Sequence, residues 1–231
     1  LAFENRIELA SHEGFDTNQC MLAKTLSEHV NTHSNSALRL LVFFKQIPEF
    51  NQINVDDKLI LIKYNLMRII VLNYSLSFKK VTDKVLELDI NILWNRTMLG
   101  VIHGYSIFSE IKQRFLPLVS IARSDEKIIH LALIILVLTK GFSTGIVEYE
   151  PILNDGMAVF RAQNYFIELL WKYVETVHGP NKAAAMFSRL VTNFTNWQKL
   201  HKKLRENVQN SLRPTDMNEL LPLMKSLFHF S

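Results

Sequence analysis

Few residues in this chain carry chemistry, and their spacing limits what each group can do. His29 and His33 stand four apart in "HVNTH", which on a helix puts both imidazoles on one face at metal-ligand spacing. Val30 stands where the zinc-protease motif needs its glutamate, and no third ligand is near in sequence, so metal binding is not expected. Asp56 and Asp57 form an acidic pair but lack the further carboxylates that Mg2+ and a diphosphate would require. No GxSxG, P-loop or CxxC motif is present. No catalytic residue, metal ligand or cofactor is therefore assigned, and an enzyme is not the expectation. The remaining pair is Lys45 and Lys63, within "LRLLVFFKQIPEFNQINVDDKLILIKYN" (38–65), where two apolar runs each end in a lysine on either side of a short polar link.

The elements that hold these residues must come from a chain of 231 residues of which 48% are apolar, enough for one sizeable core. Seven Gly and six Pro are few, and no Ser/Gly linker or low-complexity tract marks a boundary, so residues 1–231 read as a single domain. The chain opens abruptly at Leu1, as a domain of a larger parent would, and no signal peptide is evident. The single cysteine, Cys20, cannot form an internal disulfide, which fits a reducing compartment. A net charge of +4, from 26 basic and 22 acidic residues, is too balanced to imply nucleic-acid binding by itself. "IIHLALIILVL" (128–138) is shorter than the roughly 20 residues that span a bilayer; it reads as a buried central helix, and no membrane association is expected.

Apolar residues recur at three- and four-residue spacing through most of the chain, which predicts seven or more helices. Expected boundaries are Pro48, Asp56 as an N-cap, Ser124-Asp125 before "EKIIH", Gly141 after a helix end, and "HGPN" (178–181) between two long C-terminal helices. The one strand candidate is "KVLELDINILW" (84–94), where apolar and polar residues largely alternate. The coarse class is all-α with one small sheet.

The order of these pieces resembles the nuclear receptor ligand-binding domain. The resemblance is carried by Phe44-Lys45, then Ile47-Pro48-Glu49-Phe50, then Asp57-Lys58-Leu59-Ile60-Leu61-Ile62-Lys63, followed by a strand region, a buried helix near 125–140, two long helices from about 151 to 207 and a short apolar segment at the end. It implies a three-layer antiparallel helical sandwich of about a dozen helices with one small β-hairpin. It also implies a nuclear location, control of transcription, and DNA binding through a module upstream of this chain.

The resemblance further implies that the two lysines flank an apolar groove for a coactivator or corepressor helix of the LxxLL type. A bound helix ends in unsatisfied carbonyls and partial negative charge, and an ammonium group there satisfies both. Lys45 is the expected primary clamp and Lys63 the second, with Leu41, Phe50, Leu59 and Ile62 as the apolar floor. The plainer alternative is two solvated lysines at helix ends. The family's last helix carries two apolar residues, any residue, an acid and two more apolar residues; here it reads Leu223, Met224, Lys225, Ser226, Leu227, Phe228. Ser226 replaces the acid, which implies weak coactivator recruitment or a bias towards repression. "MKSLF" also approximates LxxLL, so this segment was open to a second role, as an occupant of its own groove.

The same resemblance places a pocket beneath the groove, lined by Thr32, His33, Ser36, Leu66, Ile70, Tyr74 and His201, for a small lipophilic ligand. Ordinary core packing is the competing reading, and phenylalanine side chains filling the space would leave a scaffold without a ligand. Residues 180–207 are the expected homodimer or heterodimer helix, with Ala184, Ala185, Phe187, Leu190, Val191 and Phe194 as contacts. Partners of the retinoid X receptor usually carry an acid where this chain has Arg68, and a matching acidic-basic pair near "TKGFS", where it offers Lys140, so that heterodimer is in doubt. The basic run "WQKLHKKLREN" reads as a solvated face.

Overall fold

The computed structural model describes residues 26–77, 80–81, 84–85, 105–141 and 150–228. Among the described residues the chain is mostly helical, with nine α-helices. Helix α1 (Leu26–Lys45) buries Val30, Ala37, Leu40 and Phe44, a stripe of three-, four- and seven-residue steps that turns one face inward. It stops at Lys45 because Ile47-Pro48 cannot continue it, and α2 (Pro48–Gln52) starts with that proline in its first turn.

Helix α3 (Val55–Ser77) begins two residues earlier than an Asp56 cap would allow. Asn54 is the cap instead, its side-chain oxygen accepting the Asp57 N–H at 2.8 Å. Beyond its first turns α3 is buried nearly all round, through Leu61, Leu66, Ile69, Ile70, Leu72 and Tyr74. It is long and apolar enough to cross a bilayer by composition, but 72% of that window is buried against neighbouring helices, as a core helix must be. Strands β1 (Lys80–Val81) and β2 (Lys84–Val85) pair antiparallel, Lys80 opposite Val85 and Val81 opposite Lys84. The rest of the expected 84–94 strand lies outside the described residues.

Helix α4 (Tyr105–Ser124) packs on α3, and α5 (Glu126–Val137) packs on α3, α4 and α6 (Gly156–His178). Asp125 caps α5 by accepting the Lys127 N–H at 3.0 Å. At the other end of α5, Asn65 of α3 donates to the carbonyls of Val137 and Thr139, both at 2.9 Å, supplying partners for acceptors the helix leaves open. Gly141 (φ 76°) and Gly179 (φ 83°) both adopt left-handed backbone, and Gly179 turns α6 directly into α7 (Pro180–Ser211). Helix α7 packs on α6 and α4; α8 (Pro214–Glu219) and α9 (Pro222–Leu227) return the chain to α1.

One surface reading changes, and Arg68 is placed. Arg68 is 6% exposed, donates to the Tyr64 carbonyl, and accepts the Trp197 indole N–H on its own carbonyl at 3.2 Å, so it is a core residue that joins α3 to α7. Within "WQKLHKKLREN", Lys199, Lys202 and Lys203 are exposed, but Trp197, Leu200 and Arg205 are buried. The run is one solvated face and one core face.

Candidate helix-binding groove and buried cavity

Lys45 is the last residue of α1, and Lys63 sits on the third turn of α3; both are exposed. Among the described residues neither makes an ion pair or a side-chain hydrogen bond. On α1 the residues leading to Lys45 are Leu38, 46% exposed, and the half-buried Leu41, two turns and one turn before the ammonium-bearing residue. On α3 the corresponding residues are Val55 and Leu59, 66% and 60% exposed, and the half-buried Ile62. Two apolar stripes thus run to the surface on packed helices and each meets an exposed lysine. Leu38 and Val55 were missed in the sequence, although Leu38 shares the seven-residue step to Lys45.

The corner between the stripes is held by polar contacts. Asn51 donates to the Lys45 carbonyl at 2.7 Å, capping the end of α1, and Lys58 donates to the Asn51 carbonyl at 3.1 Å. Asp57 is fully buried and accepts three hydrogen bonds: from the N–H groups of Asn154 and Asp155 at 2.7 and 2.8 Å, and from the Asn54 amide at 2.8 Å. Burial opposes its charge, but these donors, with Lys140 nearby, outweigh it and hold the carboxyl below its ordinary range. The start of α3 is thereby fixed to the entry of α6. Phe50 does not belong to the groove floor: it is 3% exposed, with its ring 5.7 Å from that of Phe44, and supports the surface from below.

Helix α9 packs on α1 and α3, with Met224 and Leu227 buried, Leu223 half-buried and Ser226 exposed. Its entry is fixed by Asn31, which donates to the Glu219 carbonyl at 3.0 Å and accepts the Leu221 N–H at 2.8 Å. Its end is fixed by Arg205 and Gln209, which donate to the Phe228 carbonyl at 3.3 and 3.2 Å. Fourteen residues of α1 separate Asn31 from Lys45, about 21 Å of helix, whereas six residues of α9 reach only about 9 Å. The buried face of "MKSLF" therefore lies over the interior, and from Asn31 α9 does not reach along α1 as far as Lys45.

Beneath α9 is a cavity of about 80 Å3, bordered by α1, α3, α4, α7 and Phe228. Of the residues expected there, His33, Ile70 and His201 line it; Thr32, Ser36, Leu66 and Tyr74 do not. The Thr32 hydroxyl donates back to the His29 carbonyl at 2.5 Å, Ser36 accepts from Arg39 at 3.1 Å, and Leu66 is fully buried in the core. Tyr74 stands one step behind the wall, its hydroxyl 2.7 Å from His33 Nδ1. The wall also includes His29, Arg205 and Trp197, which the sequence reading did not assign to a pocket. Arg205 was hidden in an apparently solvated run, and His29 was visible only as half of a metal pair.

The rings of His29 and His33 meet edge to face at 5.4 Å. Burial pushes His29 down to about 4; burial and then the charge of His29 push His33 down to about 3. His201 falls to about 3, through burial first and then the cations Arg68 and Arg205. All three imidazoles are therefore neutral at pH 7, and His201 Nδ1 is buried without a hydrogen bond among the described residues. No set of three His, Cys, Asp or Glu side chains among those residues is placed to hold a metal ion.

On α7, Ala184, Ala185 and Val191 are exposed, Phe187 and Phe194 half-buried and Leu190 buried. Trp171 of α6 lies edge-on to Phe187, with ring centroids 5.6 Å apart. Compared with known proteins, the chain matches no family model and no curated protein sequence.

Proposed function

We propose that this chain is a nuclear receptor ligand-binding domain, a three-layer antiparallel helical sandwich with a small hairpin, which recruits coregulator helices and catalyses nothing. The observation that carries this reading is the pair of apolar stripes on α1 and α3, each meeting an exposed lysine that has no ion-pair partner among the described residues. Leu38, Leu41, Leu59 and Ile62 supply apolar contact for one face of an LxxLL helix, and Lys45 and Lys63 meet the open carbonyls at its end. The half-buried Leu223 joins from α9, whereas Leu227 is buried and does not; Ser226 offers a hydroxyl in place of a carboxylate, and recruitment is accordingly weak.

The cavity supports a binding switch with little room. A volume of about 80 Å3 is well under the roughly 300 to 1,000 Å3 of sites for drug-sized ligands. This favours a domain whose side chains fill most of the interior, biasing α9 through Phe228 and Arg205, over one that encloses a large lipophile. In its cellular setting the domain acts in the nucleus beside an upstream DNA-binding module, and exposed residues of 180–207 provide the homodimer or heterodimer face.

Fluorescence anisotropy with labelled LxxLL and longer corepressor-type peptides tests the reading. Saturable binding to the wild type, lost in Lys45→Glu, is the expected result. No binding to either peptide, or equal binding by wild type and variant, would sink it.

A further inference from the structure

The cavity under α9 has polar groups in its wall that the surrounding packing does not fully satisfy. His29 and His33 border it from α1, and His201 and Arg205 from α7; Ile70, Phe228 and the other wall residues are apolar or aromatic. No Asp or Glu among the described residues borders it. His33 has a partner in the Tyr74 hydroxyl at 2.7 Å, but His201 Nδ1 is buried without a hydrogen bond among the described residues. A buried ring nitrogen in that state carries a desolvation cost that a bound polar group would offset. The field there is positive. After burial, the charges that lower the His201 imidazole are those of Arg68 and Arg205 and then His33. Arg68 is itself lowered to about 10, by burial first and then by Arg205, with Glu150 acting the other way.

The geometry points to this cavity as the site of a small organic carboxylate of two or three carbons, held by the Arg205 guanidinium and the His201 imidazole, with its alkyl end on the apolar wall. For its role this rests on the binding-switch reading above; for its chemistry it rests on the cavity alone and is independent of the surface groove. The size follows from the volume. About 80 Å3 is roughly half of a cavity of about 150 Å3 that accommodates benzene, which leaves room for about three to five non-hydrogen atoms. The charge follows from Arg205. A guanidinium carries several N–H donors in a planar fork, so its bond to the Phe228 carbonyl is compatible with a second acceptor. A carboxylate there gains charge-assisted bonds that an amide of the same shape does not. His201 completes the site, its neutral ring donating through Nδ1 in one tautomer. Ligand and the residue that follows α9 then share one guanidinium, which is how occupancy would reach that helix.

The test titrates sodium acetate, propionate and hexanoate, with propionamide as the uncharged control, into the full chain at constant total salt, and reads the imidazole signals of His29, His33 and His201 by NMR. Propionate should shift His201 saturably, propionamide should bind at least tenfold more weakly, and hexanoate should not enter. A bound carboxylate favours the imidazolium form of its neighbours, so propionate affinity should rise between pH 8 and pH 6, where the ligand stays ionised. The groups that could take part are His29 and His33 on α1, Arg68 and Tyr74 on α3, His201 and Arg205 on α7, and Glu150 through Arg68; α4 brings only Ile111 to the wall. His201→Phe, with its fold checked by circular dichroism, should lose at least tenfold in propionate affinity. No saturable shift with acetate or propionate, equal binding of propionamide, or unchanged affinity in the variant would each overturn the site. Each of those outcomes leaves the groove reading to its own peptide test, and the comparison with propionamide needs no variant to fold.

Discussion

Lys45 and His33 sit on the same helix, α1, and meet opposite conditions. At the surface, apolar side chains are left in water beside cations that have no ion-pair partner among the described residues. In the interior, polar rings line a small cavity and lose their charge to burial. An exposed apolar stripe gains stability only when something covers it, whereas buried imidazoles are tolerated only while neutral. The proposed function gives the first region a partner to receive; the second is a small cavity lined by neutral imidazoles. Phe228, directly after α9, lies in the cavity wall, and α9 itself packs on α1 and α3.

The largest effect should come from Asp57, whose carboxylate ties α3 to the entry of α6. Asp57→Ala leaves two backbone donors and the Asn54 amide without their acceptor, a loss on the order of 2–4 kcal/mol, measurable by urea denaturation. An unchanged midpoint would show that the base of the groove does not depend on this tie.

Acid should then separate the two regions. The folded values of His29, His33 and His201, about 4, 3 and 3, lie below the ordinary 6.5, so the unfolded chain takes up protons first as pH falls. Stability present above pH 6.5 is lost progressively towards those values, by about 1.4 kcal/mol per pH unit for each histidine that titrates independently. Asp57, with its folded value lowered, has the same sign at a lower window: its contribution holds above the ordinary carboxylate range and goes as pH falls through the folded value. By pH 5.5 the loss from these histidines should therefore be under way while that from Asp57 is not, a fall measurable by denaturation at pH 7 and 5.5. Equal stability at both would mean that the imidazoles are solvated.

Charge reversal sharpens the surface half. Lys45→Glu should weaken LxxLL peptide binding at least tenfold, about 1.4 kcal/mol or more, with the urea midpoint unchanged. The smallest effect is a gain: Ser226→Glu should tighten binding about two- to fivefold, the range of a carboxylate at an exposed helix N-terminus. No gain would show that Ser226 does not face the bound helix.

Local chemistry made much of this legible in sequence. The Asp125 cap, the turn at Gly179-Pro180 and the buried core of α5 follow from capping residues, left-handed glycine and apolar density, which act within a few residues. Lys45 at a helix end was visible for the same reason, but Lys63 was not at an end: its helix runs on to Ser77, because the apolar run continues past the lysine. The Asp56 cap was misplaced because Asn54, Asp56 and Asp57 are all competent caps, and only the helix start decides among them. The cavity was harder. Its walls combine α1 and α3 with residues of α7 and α9 far along the chain, and nothing in "WQKLHKKLREN" distinguishes Arg205, turned inward to the Phe228 carbonyl, from Lys203, turned out. Tertiary packing decides that. Phe50 failed similarly, since an aromatic beside a groove and one beneath it look alike in sequence.

Hydrogen exchange of the wild-type chain, with and without saturating LxxLL peptide, is the most direct test of where a partner helix sits. The account predicts added protection in the second half of α1, through Lys45, in the first three turns of α3, through Lys63, and in α9. Protection confined to α6 and α7, or none on any helix at saturation, would contradict it.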